Sequence, residues 1–303
     1  MQITAEMVRD LREKTGAGML DCKKALIEAD GDMDKALDVL RTKGLAAAAK
    51  KAGRIASEGL VAASVSGSKG ALVEVNSETD FVAKTEDFVS FVNSVAELVR
   101  DKAPADLDAA MALPFGAGTL ADALTEKVAK IGEKISFRRF VRFETAGGTI
   151  ASYIHMGGKI GVLVELTGAA PGTEAVSTLG RDLAMQVAAA NPTAVRREEV
   201  PADVIAREMA IYHEQAVAQG KPAAILDKIA KGKLEKFFGD FCLVEQGFIK
   251  DPDKKVRDLV KEVGGQSGCV LEVSRVARFQ VGEGIEKKAE DFAAEVAKTM
   301  GQG

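Results

Sequence analysis

The first part of the chain shows apolar residues at helical spacing, with two interruptions that contain glycine. Apolar side chains recur between Met7 and Leu11 at the period of one helix face, and Thr4 is a suitable N-cap. A second helix is predicted from Met19 to Glu28, and a third follows Asp32, which can cap it. The segment 46–54 is rich in alanine but has little to bury. We therefore expect a three-helix bundle followed by a linker.

The rest of the chain contains a degenerate internal repeat. The strings GLVAASV and LVEV within 59–75 resemble GTIASYI and LVEL within 148–166, and a turn that contains glycine separates the two strings of each copy. Such paired β-rich runs predict a hairpin. A later string, RFVRFE at 139–144, resembles RVARFQ at 275–280 and predicts one more strand in each copy. The preserved order favours two related α+β lobes; chance similarity of short β-rich strings is the alternative.

The second copy is longer because it contains an additional stretch of helical pattern. Residues 201–241 show two apolar helical patterns separated by Gly220, Lys221 and Pro222, which predicts an inserted helical hairpin. Near the C-terminus, apolar residues share one face of a further predicted helix: Ala289, Phe292, Ala293, Val296 and Met300. Such an amphipathic helix must dock on this chain or on another one.

The predicted fold class is α+β. We expect an N-terminal three-helix bundle, two repeated α+β lobes with antiparallel sheets, an inserted helical hairpin and a C-terminal helix. The expected boundaries are 1–54 for the bundle and linker, 55–144 for the first lobe and 145–281 for the second lobe. The hairpin insertion lies at about 201–241, and the C-terminal helical module at 282–303.

Composition and charge narrow the class of protein without identifying a function. The chain has 303 residues, a net charge of −4 and three cysteines. An odd number of widely separated cysteines indicates reduced thiols rather than a disulfide framework or a zinc site. No apolar run is long enough to span a membrane, the N-terminus lacks the apolar core of a signal peptide, and the charge gives no general attraction to nucleic acid. We expect a soluble, cytoplasmic protein.

Residues with catalytic chemistry are few. His155 and His213 lie far apart in sequence without cysteine neighbours, so a zinc site is not expected. The segment 15–18 leads into a helix but lacks the strand before it and the Lys-Ser/Thr after it that a phosphate-binding loop requires. We interpret Cys22 as a packed small hydrophobe. The sequence therefore predicts no catalytic residue, no metal and no cofactor, and a protein that is not an enzyme; an enzyme would have to use Cys22, His155 or Asp80.

The stretch NSETDFVAKTEDF, at 76–88, places Phe81 after Asp80 on a polar connector between a predicted strand and a predicted helix. In one interpretation, Ser77 and Asp80 form a capping box and Phe81 begins the core face of the helix. In the other, Phe81 is an exposed wedge suited to another protein's pocket. The corresponding loop of the second lobe, TGAAPGTEAV, has neither an aromatic residue nor the Asp-Phe pair. That asymmetry favours a functional role.

Four motifs together resemble the elongation factor Ts family. They are LREKTGAGMLDCKKAL in the bundle, TDFVAK in the first lobe, YIHMGGKIGVLVEL in the second lobe and FQVGEGIEKKAEDFAAEV at the end. The resemblance extends over essentially the whole chain, and four motifs in the right order are specific. It implies that the bundle is similar to a ubiquitin-associated domain. It also implies a guanine-nucleotide exchange factor that binds elongation factor Tu carrying GDP.

The resemblance also implies roles for particular residues. In the family, the segment matched here by Thr79, Asp80, Phe81 and Val82 enters the G domain of the partner and disturbs its Mg²⁺ and phosphate site. Arg12, Met19, Leu20 and the terminal helix would contact the same G domain, and His155 would contact another domain of the partner. Some members self-associate through the helical hairpin, so a homo-oligomer is possible here. A non-catalytic adaptor of the ubiquitin-associated type, resting on the bundle alone, is the alternative function.

Overall fold

A computed structural model describes residues 3–15, 17–168 and 173–286 of the chain. It combines helices with small antiparallel sheets, so the predicted α+β class is confirmed. Within the described residues, no helix has the length and apolar character needed to cross a membrane.

The bundle consists of α1 (Ala5–Thr15), α2 (Met19–Glu28) and α3 (Met33–Lys51). Thr4 accepts a hydrogen bond from the N–H of Met7, and the Asp32 carboxylate accepts from the N–H groups of Asp34 and Lys35, as the helix-start pattern predicts. The helices close around a small apolar core that contains Val8, Leu11, Cys22, Ala25, Leu26 and Ala36. Cys22 is fully buried in this core.

Most of the segment predicted as a linker, residues 46–51, is the last part of α3, so the prediction is wrong there. The helix continues to Lys51, and one side of its end packs against a helix far away in sequence, α7 of the first lobe (defined below). Gly44 lies against Thr125 and Ala129, and Ala48 packs against the core of the first lobe. Arg41 forms an ion pair with Asp122 at 2.6 Å. The bundle is therefore docked on the first lobe through the second half of α3.

The first lobe has a three-stranded sheet covered by helices and a short two-stranded sheet, β3-β4. Its elements are β1 (Glu58–Ser66), β2 (Lys69–Ser77), α4 (Asp80–Ala83), α5 (Glu86–Lys102), α6 (Leu107–Met111), β3 (Pro114–Phe115), β4 (Gly118–Thr119), α7 (Leu120–Ile131) and β5 (Ser136–Glu144). The strands are antiparallel in the order β1-β2-β5. The apolar face of α5 packs on this sheet and is fully buried at Phe88.

The second lobe repeats this plan. Its elements are β6 (Gly148–His155), β7 (Ile160–Thr167), α8 (Glu174–Ala190), α9 (Ala202–Ala218), α10 (Leu226–Phe241), β8 (Gly247–Phe248), β9 (Asp251–Lys255), α11 (Val256–Gln266) and β10 (Glu272–Gln280). The sheet order β10-β7-β6 matches the first sheet strand for strand, which confirms the two repeated lobes. Helices α9 and α10 form the predicted hairpin, whose base is closed by Phe237, Phe238 and Cys242.

The two sheets pack face to face. Val61, Leu72 and Phe143 of the first lobe meet Ile150 and Leu163 of the second in one buried cluster. The N–H of Val61 also donates to the carbonyl oxygen of Gly158 at 2.8 Å. Most of the predicted C-terminal module, 287–303, lies outside the described residues.

Candidate partner-binding site

The segment that carries Phe81 is the short helix α4, and its local structure differs from the predicted capping box. Thr79 is the N-cap, and its hydroxyl oxygen accepts from the N–H of Val82 at 3.4 Å. Ser77 instead donates to the carbonyl oxygen of Thr79 at 2.9 Å, and the Asp80 carboxylate turns toward Lys84. The Ser77–Asp80 capping box is therefore absent, because the backbone at Thr79 is extended and only its side chain reaches the first turn.

Phe81 is exposed, in contrast to the two apolar residues that follow it. Its exposed fraction is 79%, whereas Ala83 is buried and Val82 packs partly against the first-lobe core. The core face of the next helix begins at Phe88, whose N–H is capped by Thr85. The interpretation of Phe81 as a core residue is wrong, and its predicted exposure is confirmed. Its contact with a partner stays a prediction.

Two carboxylates tie the start of α4 to the turn that follows α7. Glu133 accepts from the N–H of Thr79 at 3.0 Å and from its hydroxyl at 2.7 Å. Glu78 accepts from the N–H of Lys134 at 2.6 Å and forms an ion pair with Arg54 at 3.3 Å. Sequence reasoning missed Glu133, because its partner is more than fifty residues away and no motif joins them.

Asp80 forms an ion pair beside the exposed ring. Its carboxylate accepts from the ammonium group of Lys84 at 2.5 Å, four residues further on. This hydrogen bond lowers the pKa of Asp80, and the charge of Lys159 adds to the effect. The carboxylate is therefore ionised at neutral pH and remains accessible to solvent. Lys159 belongs to the β6–β7 turn, so the second lobe approaches α4 on this side.

His155 ends β6 at the β6–β7 turn and is exposed, as expected for a residue at the mouth of a turn. The Tyr153 hydroxyl lies 3.0 Å from its Nδ1. Met156 follows with a positive φ of 49° and an exposed fraction of 71%. Lys159 closes the turn against the first lobe through an ion pair with Glu58 at 2.6 Å. The exposed side chains of His155 and Met156 are thus consecutive at the β6–β7 turn, which is the tip of the second lobe.

The bundle residues singled out by the resemblance are also exposed. Met19 and Leu20, in the first turn of α2, are 49% and 72% exposed, and Arg12 is exposed near the end of α1. In the described part of the chain, no hydrogen bond or ion pair joins these residues to Phe81 or to His155. The candidate residues thus form three surfaces: one on the bundle, one on the first lobe and one on the second.

In the part of the chain that the structure describes, side chains that could ligate a metal ion do not cluster at these surfaces. Among the described residues, no group of three or more histidine, cysteine or acidic side chains could hold a metal ion. His213 lies on the hairpin, 3.8 Å from Asp227, and shares no site with His155. What the surfaces offer is exposed apolar side chains beside fixed charges, an arrangement typical of protein recognition.

Comparison with known proteins gives a consistent result along the chain. Residues 78–283 match the family model for Elongation factor TS. The chain is 54% identical over 299 residues to elongation factor Ts of Syntrophotalea carbinolica, covering 98% of this chain and 99% of that protein. It is 52% identical to the Trichlorobacter lovleyi protein of the same name, covering 99% of both chains. For elongation factor Ts of Clostridioides difficile the identity is 52%, over 98% of this chain and 99% of that one. The chain therefore belongs to the elongation factor Ts family of translation elongation factors.

Proposed function

We propose that this protein is the guanine-nucleotide exchange factor of elongation factor Tu: it binds the GDP form of that GTPase and promotes GDP release by disturbing the Mg²⁺ and phosphate site. It uses no cofactor and turns over no substrate of its own. The proposal involves no direct contact with nucleic acid or with a membrane, and it puts the protein in the cytoplasm, where translation takes place.

The observation that carries the proposal is the exposure of Phe81. A phenylalanine with an exposed fraction of 79%, held on a capped helical turn, buries little of its own surface in the free protein. Single exposed apolar residues are ordinary, but this one lies in the family motif that resembles the partner-entering segment, with Thr79, Asp80 and Val82 around it. We assign the ring to a pocket in the G domain of the partner.

Exchange of this kind requires no chemical step. A GTPase holds GDP through loop amides around the phosphates and through Mg²⁺. A factor that binds the nucleotide-free GTPase more tightly than the GDP form must weaken GDP binding by the same factor, because the two equilibria are linked. The exposed ring, entering beside the Mg²⁺ site, would supply interactions that the GDP form cannot accommodate without distortion.

The magnitudes require a wider interface than one side chain. Burial of a phenylalanine ring contributes roughly 1.5–3 kcal/mol, and about 1.4 kcal/mol is a tenfold change in an equilibrium constant. We therefore assign Arg12, Met19 and Leu20 to a second contact with the G domain. His155, at the tip of the second lobe, is assigned to another domain of the partner.

The decisive experiment measures release of fluorescent GDP from elongation factor Tu, with and without a catalytic amount of this protein. The proposal expects a large acceleration, and it is wrong if the release rate does not change. An adaptor of the ubiquitin-associated type would leave GDP release unchanged while the bundle binds small β-rich modifier proteins.

The proposal includes self-association through the hairpin. Its exposed apolar residues include Ile211, Val217 and Ile225, at 39%, 53% and 40% exposed. Sedimentation velocity tests this part by comparing Val217→Asp with Val270→Asp, which places the same charge on an exposed site before β10. Only the hairpin variant should dissociate an oligomer; a wild type that is monomeric at micromolar concentration would contradict it.

A further inference from the structure

α4 is too short to keep its shape by its own hydrogen bonds. It has four residues, Asp80–Ala83, and a single helical turn is unfavourable in water because nucleation fixes several dihedral angles for one hydrogen bond. The orientation of Phe81 is set by this turn. Support for the turn must therefore come from residues outside it.

Glu133 supplies that support at the N-cap. Its two carboxylate oxygens accept from the backbone N–H and from the hydroxyl of Thr79, at 3.0 and 2.7 Å. Since the hydroxyl hydrogen is directed to Glu133, a lone pair of the same oxygen is free to accept the N–H of Val82. Hydrogen bonds to a charged acceptor are stronger than neutral ones, so the carboxylate fixes both the backbone and the side chain of the cap.

The same turn also holds the end of the bundle's longest helix. Lys51, the last residue of α3, donates to the carbonyl oxygen of Gly132, and Lys134 donates through its ammonium group to the carbonyl oxygen of Arg54 at 2.8 Å. Arg54 in turn pairs with Glu78, one residue before Thr79. The turn 132–134 therefore connects α4 with the bundle.

The second lobe provides an internal comparison. The repeat aligns Arg139 with Arg275, and so aligns Glu133 with Cys269. In the second lobe the corresponding segments still meet, because a Cβ on Gly168 would lie 1.7 Å from the carbonyl oxygen of Val270. At the position that corresponds to Glu133, the second lobe has a cysteine instead of a carboxylate. The carboxylate occurs in the lobe that carries Phe81.

We propose that Glu133 is a positioning residue for nucleotide exchange: it holds α4 in the conformation in which Phe81 meets the partner. The inference rests on the proposed function, which assigns Phe81 to the partner's pocket. Glu133 acts through Thr79 and needs no contact with the partner itself. A variant without the Glu133 carboxylate still contains Phe81, but the α4 turn that carries the ring frays.

The first test uses the free protein, without a partner. Amide hydrogen exchange is compared at Val82, Lys84 and Thr85, whose N–H groups are bonded within or just after α4. Glu133→Ala should speed this exchange, and Glu133→Gln, which keeps one acceptor oxygen, should have a smaller effect. Glu126→Ala, an exposed carboxylate on α7, is the matched control and should leave it unchanged. Unchanged protection in Glu133→Ala overturns the proposal.

The second test is a double-mutant cycle on GDP release from elongation factor Tu. Glu133→Ala should lower the exchange efficiency about fivefold, which is the effect expected when the charged hydrogen bonds that position α4 are lost. In a Phe81→Ala background the same change should add no further loss, because Glu133 acts only through the ring. Equal losses in the two backgrounds would mean that Glu133 acts elsewhere, and would overturn the inference.

Failure of the inference and failure of the proposed function give different results. If Phe81→Ala exchanges GDP at the wild-type rate, the wedge assignment is wrong, whatever Glu133 does. If Phe81→Ala is impaired but Glu133→Ala is not, the wedge stands and the positioning role is wrong. The melting temperature of each variant separates either result from general unfolding.

Discussion

At the scale of single residues, Phe81 gives the sharpest expectation. Its ring is 79% exposed, so Phe81→Ala removes little buried surface and should change the free energy of unfolding by no more than about 0.5 kcal/mol. Exchange efficiency should fall roughly tenfold or more, the loss expected for about 1.5–3 kcal/mol of ring burial in the partner. Denaturation midpoints and GDP release rates are to be measured on the same preparations.

Val270→Ala is the matched control for that variant. Val270 has the same exposed fraction, 79%, but lies before β10 in the second lobe, away from the family motif. It should leave both stability and exchange unchanged. If Phe81→Ala is strongly destabilised but its folded fraction promotes GDP release at the normal rate, Phe81 is a core residue and not a partner contact.

His155 gives a second expectation at this scale. Its side chain is exposed, and the Tyr153 hydroxyl is the hydrogen-bond partner that the described residues give its imidazole, so His155→Ala should change stability by about 0.5 kcal/mol or less. Affinity for elongation factor Tu should weaken, as measured by titration calorimetry. A marked fall in melting temperature would instead make His155 part of the fold.

Sequence reasoning found the exposed residues of the candidate site but not the residue that supports them. The exposure of Phe81 was favoured by the asymmetry of the repeat, because the corresponding loop of the second lobe has neither an aromatic residue nor the Asp-Phe pair. Glu133 was not found, because a carboxylate after a helix-ending glycine has no local signal of its distant partner, Thr79. The spacing of apolar residues indicates which face of an element is buried. The hydrogen bonds between Glu133 and Thr79 depend instead on tertiary contacts.

At the scale of elements, α3 shows the same limit. Its first part was predicted correctly from the cap at Asp32 and the apolar pattern after it. The end at Lys51 was missed, because alanine gives no amphipathic pattern and the burying surface belongs to α7, about eighty residues away. Alanine favours a helix strongly, and the docking surface then stabilises it.

Gly44 within α3 provides the prediction at this scale. A Cβ there would lie 3.6 Å from Ala129 and 3.7 Å from Thr125, at ordinary contact distances. Gly44→Ala should therefore raise the free energy of unfolding by about 0.5–1 kcal/mol, because alanine loses less conformational entropy in a helix. Thermal denaturation measures the change. Gly282→Ala, with a φ of +70° and a Cβ 2.1 Å from the Ser57 carbonyl oxygen, should destabilise the protein instead.

At the scale of the whole molecule, the lobes are joined by reciprocal contacts. The Arg139 guanidinium stacks over the ring of Phe279 at 4.3 Å, and Arg275 stacks over Phe143 at 4.2 Å. The repeat aligns the two arginines with each other and the two phenylalanines with each other, so the lobes meet in a pseudo-twofold arrangement. Glu74 adds a further contact, because its carboxylate accepts from the N–H of Gly282 in the turn after β10.

Glu74 is fully buried and accepts from the N–H of Gly282 at 2.8 Å and from Arg138 and Arg139. Burial alone would raise its pKa, but these donors outweigh burial and hold the pKa below 4.5. A lowered pKa means that the carboxylate stabilises the fold above about pH 4.5 and loses this contribution as the pH falls through the folded-state value.

Glu74→Gln should therefore cost about 3 kcal/mol of unfolding free energy at pH 7, because the partly buried Arg138 and Arg139 lose the buried carboxylate that they share. The difference from wild type should begin to shrink as the pH falls below about 4.5, and should continue to shrink until the pH lies below the lowered folded-state pKa of Glu74, where the wild-type carboxylate is protonated in both states. Urea denaturation at pH 7 and at lower pH measures both, with Glu126→Gln as an exposed control that should match wild type at pH 7. A deficit that stays constant across this range would mean that Glu74 joins the lobes by its shape, and that its charge contributes nothing.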